Sequence, residues 1–152
     1  MDREQLPTKL FGWLRMSVRE VMKCEADTER FVLNMRFWHQ PHRELPGVCV
    51  VCMGGAVMAG PLKVPHGESV EPHQLESEEL MNAMGAIDDM RTGDFEDAFD
   101  NLGGETESLA KDEYRVLEEC SALVGEHYDM QVGHAPWHVY LQCADMLEAA
   151  GL

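Results

Sequence analysis

Val48–Pro61 reads Val-Cys-Val-Val-Cys-Met-Gly-Gly-Ala-Val-Met-Ala-Gly-Pro and belongs to the longest stretch of the chain without a charged side chain. Fourteen apolar or small residues need burial, yet they are too few to cross a bilayer. They therefore predict a central buried segment around which the other elements pack. Gly54, Gly55, Ala56, Ala59 and Gly60 would let neighbours come close to the backbone, and Pro61 would end any helix there.

The rest of the chain carries helical periodicity. Leu10, Phe11, Leu14, Val18, Val21 and Met22 recur at three- and four-residue steps, which predicts a helix from about Lys9 to Cys24, capped by Thr8. Arg15, Arg19 and Lys23 form a basic stripe on its other side, read as a solvated face or as a dock for the chain's own acidic part. Phe31–Trp38 alternates with period two and reads as a strand, with Leu62–Val64 as its nearby partner. His39–Gly47 reads as a loop and Leu62–His73 as a connector.

Beyond the connector, Ser77 is placed to cap a helix through Leu80, Met81, Met84, Ile87 and Met90, with Gly93 as its stop. Phe95–Leu102 predicts a short helix closed by Gly103-Gly104. Glu105–His127 predicts a long one, and Pro136 opens a last helix with Trp137, Tyr140, Leu141, Ala144 and Leu147 facing inward. The fold class expected is mainly α: five to six helices around the Gly/Ala-rich segment, with at most a small two-stranded sheet. A length of 152 residues favours one domain, with a near-neutral part (residues 1–64) and an acidic helical part (74–152). The start Met1-Asp2-Arg3-Glu4-Gln5 lacks the character of a signal peptide, and five cysteines in apolar surroundings read as free thiols in a reducing cytoplasm.

Charge narrows the function classes. The net charge is −16, with +1 from residues 1–70, −15 from residues 71–129 and −2 from the rest. Binding nucleic acid through a basic footprint is disfavoured, and no membrane-spanning run is present. The densest acidic run holds Asp88, Asp89, Asp94, Glu96, Asp97 and Asp100. It lacks the DxDxDG spacing of a calcium loop. It reads either as a solvated face or as a surface that imitates DNA phosphates and meets a basic protein groove. Self-association into a homo-oligomer is left open by these features.

A second candidate is His39-x2-His42-x6-Cys49-x2-Cys52, four residues of zinc-ligand type within fourteen positions. Val50, Val51 and Met53 around the cysteines favour packed thiols over a zinc knuckle, whose Cys-x-x-Cys is usually flanked by glycine or polar residues. Cys49 as a nucleophile would need a base from among His39, His42, His127, His134 and His138, and nothing in the spacing selects one. No GxxxxGK[ST] or GxGxxG phosphate loop is present.

Met35-x-x-Trp38, followed by Cys49-Val-Val-Cys52-Met-Gly-Gly55-Ala56, resembles small uncharacterised accessory proteins of tailed bacteriophages, in which a Met-x-x-Trp segment precedes Cys-x-x-Cys-x-x-Gly-Ala. The block Phe31–Leu62 that carries the resemblance is about a fifth of the chain. The resemblance implies a phage-encoded protein that works in a bacterial cytoplasm on a host factor, and it transfers no catalytic residue. The function expected is therefore a non-catalytic acidic interaction protein for a basic protein surface, without a cofactor. The alternative is a zinc-stabilised module built on His39, His42, Cys49 and Cys52.

Overall fold

A computed structural model describes residues 5–152, so the reading of Met1–Glu4 lies outside the described residues. Six helices and a three-stranded sheet follow in the order α1 (Leu10–Ala26), β1 (Phe31–Leu33), β2 (His39–Pro41), β3 (Cys49–Val51), α2 (Met53–Ala59), α3 (Glu78–Thr92), α4 (Phe95–Asn101), α5 (Lys111–His127) and α6 (Trp137–Ala149). The chain is mainly α, as the periodicity predicts. Among the described residues no helix is long and apolar enough to cross a membrane.

α1 is buried on most of its circumference: Trp13, Leu14, Met16, Ser17, Val18, Val21 and Cys24 are all covered. Ser17 is tolerated inside because its hydroxyl donates to the Leu14 carbonyl at 2.9 Å. The helix starts without a side-chain cap, and Thr8 does not serve as one. The Leu10 N–H instead donates to the carbonyl of Leu152 at 2.8 Å, so the far end of the chain satisfies a donor that a cap would otherwise take. Met22, expected to face inward, is 46% exposed.

The charge-free segment is buried as expected, and it is split between two elements. Cys49–Val51 forms the middle strand, parallel to β1 and antiparallel to β2. Cys52 then caps α2, its sulfur accepting the Gly55 N–H at 3.4 Å. The strand expected over Phe31–Trp38 stops at Leu33, where the chain turns. It resumes at His39–Pro41, in the stretch read as a loop. Its partner is β3, not Leu62–Val64. The correction has a steric cause: a Cβ at Gly55 would lie 1.5 Å from the Trp38 carbonyl oxygen, and one at Gly54 2.4 Å from the Trp38 ring. Trp38 sits on the glycine face of α2, which bends the aromatic segment back across β3.

α3 begins at Ser77, whose hydroxyl accepts the Leu80 N–H at 3.2 Å, and ends at Gly93 with φ of 90°. The long helix expected from Glu105 starts at Lys111 instead. A single 3₁₀ turn covers Thr106–Ser108, and Ala110 is extended with its N–H bound by Glu113 Oε1 at 2.9 Å. α6 follows Pro136, with Tyr140, Ala144 and Leu147 in the core; Leu141, expected inside, is 38% exposed. One apolar cluster takes side chains from all six helices and from β3.

Candidate functional site

The acidic run falls on α3, α4 and the turn between them, and its carboxylates divide into two groups. Four hold the helices together. Asp94 caps α4, its Oδ1 accepting the Asp97 N–H at 3.1 Å. Glu96 accepts a short hydrogen bond from the Tyr114 hydroxyl and so links α4 to α5. Asp89 accepts from Asn101 Nδ2 at 2.6 Å, which ties the C-terminal end of α4 back onto α3. Asp88 takes Arg91 Nη2 at 2.9 Å and Nε at 3.0 Å. Asp97 and Asp100 are exposed, and their carboxylates cap nothing.

Burial pushes Asp89 up to about 6, the carboxylates of Asp94, Asp97 and Asp88 add to the rise, and the Asn101 amide pulls against it. Asp97 is also raised, chiefly through its hydrogen bond and charge contact with Asp94. Tyr114 is raised by its bond to Glu96. The acidic face thus holds its charges close enough to repel.

Arg91 explains why so little positive charge interrupts this face. Residues 71–129 contain three bases, Arg91, Lys111 and Arg115, against eighteen acids. The Arg91 side chain is only 11% exposed. Besides Asp88 it donates to the Gly133 carbonyl at 2.5 Å and to the Tyr128 hydroxyl at 3.2 Å. Its own carbonyl accepts from the Tyr140 hydroxyl at 2.7 Å, and that oxygen takes the Ala135 N–H at 2.9 Å. Arg91 thus offsets Asp88 alone in the run and spends its other donors inside the molecule, joining α3, the loop after α5, and α6. A lone arginine in an acidic run was the signal that could have marked it.

A cleft of about 490 Å³ opens beside the first turns of α3 and the end of α4. Trp13, Leu80 and Leu102 give it apolar walls; Asn82, Asn101 and Glu79 supply amides and a carboxylate. Its size suits one or two side chains or a small molecule. Sequence reasoning missed it, because its lining comes from three distant segments.

The second candidate group does not assemble as the spacing predicts. His39 and Cys49 meet in the core, with Sγ 3.6 Å from both ring nitrogens. His39 Nδ1 lies 2.7 Å from the Glu68 carbonyl oxygen, which can only accept, so the ring carries its proton there. His42 lies apart on the loop after β2, its Nδ1 accepting the Glu44 and Leu45 N–H groups. Cys52 is engaged as the cap of α2. Among the described residues no three His, Cys, Asp or Glu side chains are grouped to hold a metal ion. Burial lowers His39 and raises Cys49, so the pair stays as neutral imidazole and thiol, the reverse of an activated nucleophile. His127, His134 and His138 lie after the middle of the chain, on α5, the following loop and α6.

No protein-family model, curated protein or solved structure matches this chain.

Proposed function

We propose that the protein is a non-catalytic acidic interaction protein that covers a basic surface of a protein partner, as a DNA strand would. The observation that carries this reading is the near absence of countercharge from the start of α3 to the end of α5: fifteen acids stand against three bases, and one of the three, Arg91, is turned inward. A carboxylate surface of this density raises the association rate with a positive groove and disfavours acidic partners. The fitting partner is a protein that handles nucleic acid, in the bacterial cytoplasm that the phage resemblance implies. The cleft beside α3 supplies an anchoring pocket, in which a lysine or arginine stem lies against Trp13 and Leu102 with its cation toward Glu79.

The test uses carboxylates that join no two elements. Asp97, Asp100 and Glu118 are exposed, and none caps a helix. The protein and its Asp97→Lys/Asp100→Lys/Glu118→Lys variant are immobilised and exposed to bacterial lysate, with and without a double-stranded DNA competitor. The expected result is capture of DNA-binding proteins by the unchanged chain only, displaced by DNA and by salt. Capture that survives charge reversal would reject the proposal.

A further inference from the structure

α1 and α6 run antiparallel, held at one end by the Leu10–Leu152 backbone bond and at the other by Trp137 Nε1 on the Glu25 carboxylate at 3.3 Å. Between them a groove of about 420 Å³ opens to solvent, with Val18, Met22, Ala26 and Leu141 as its floor. Met22 and Leu141 are two of the six large hydrophobic side chains that stand exposed among the described residues.

The two helices beside the groove carry opposite charge. On α1, Arg19 and Lys23 keep 58% and 66% of their side-chain surface exposed, although both lie beside the Glu20 carboxylate, at 3.9 and 3.3 Å. Across the groove on α6, Asp145 and Glu148 keep 76% and 52%, although both engage Arg15 at 2.7 and 3.0 Å. Arg15 holds the two helices in place, and its hydrogen bonds to Glu148 and Asp145 keep its guanidinium charged.

We infer that this groove is the contact of a homodimer, in which two copies meet about a twofold axis with α1 of each on α6 of the other. An isologous contact needs a surface that complements itself. Here floor meets floor, so Met22 and Leu141 of both copies leave water together, while Arg19 and Lys23 of each copy face Asp145 and Glu148 of the other. A net charge of −16 makes two copies repel over most approaches, and this face is where basic side chains offset the acids. An acidic helix from a foreign protein would complement α1 but meet like charge on α6; a second copy complements both. The contact uses neither α4 nor α5, so the dimer leaves two acidic faces for partners.

Sedimentation velocity and native mass spectrometry of the full chain, from low to high micromolar concentration, test the inference. A dimer is expected, and Leu141→Glu, which adds a third acid to Asp145 and Glu148 beside the floor without touching the core, is expected to raise its Kd by at least about tenfold. Arg19→Glu/Lys23→Glu serves as the second variant, with the same expected weakening; circular dichroism and melting temperature confirm that each variant is folded. A chain that stays monomeric at every concentration overturns the proposal, as does a dimer that both folded variants leave intact.

Discussion

At the scale of single residues, the tightest constraint is Gly55, because the Trp38 carbonyl occupies the space of a side chain there. Gly55→Ala must push α2 off the sheet, and we expect a loss of at least about 3 kcal/mol in urea unfolding. Asp89 gives a test by pH. Its folded-state value of about 6 lies above the ordinary 3.8, so between these limits the folded chain holds a proton that the unfolded chain releases. Its contribution is therefore fully present below pH ~4 and is lost as pH rises through 6. Asp89→Asn keeps the acceptor for Asn101 and removes the charge. Thermal melts of the variant and parent should diverge between pH 4 and 7, with the variant gaining at the neutral end. The thiols form a third residue-scale case. Burial raises Cys24 to about 12 and Cys52 to about 11, and Cys120 and Cys143 each donate to the other's carbonyl at 3.7 Å. Iodoacetamide at neutral pH should label none of the five until denaturant is added, as read by intact mass.

Between elements, Arg91 is the joint that fastens the acidic helices to the rest. Arg91→Met keeps the aliphatic stem and leaves the Gly133 carbonyl and Asp88 without their donor. Solvent still reaches Asp88, which is 39% exposed, so a loss of about 2 kcal/mol is expected in chemical denaturation. Helix boundaries were legible wherever a local signal set them: Ser77 and Gly93 bracket α3 as expected. They were not legible at α1, where Leu152 replaces the expected Thr8 cap, or at α5, where the Glu113 side chain delays the start to Lys111. Strand pairing failed for the same reason. Val50 and Val32 are partners across the sheet, but their pairing depends on a chain reversal that Trp38 makes against two glycines seventeen or so positions on.

For the whole molecule, the candidate site divides along the same line. Charge distribution is additive along the chain, so the acidic character of residues 71–129 was readable without a structure. Which carboxylates are free was not. Asp94 and Glu96 look like Asp97 and Asp100 in sequence, yet the first two hold α4 and α5 in place while the second two face solvent. The His39–Cys52 spacing could name four residues of ligand type, but spacing carries no direction: one pair meets in the core, and His42 points into its own loop. Periodicity, capping residues and the apolar Val48–Pro61 run were sufficient for a mainly helical chain around a buried centre, because each acts within a few residues. Strand order, the inward turn of Arg91, the cleft at Trp13 and the groove between α1 and α6 depend on segments far apart in the chain. Only their packing decided them.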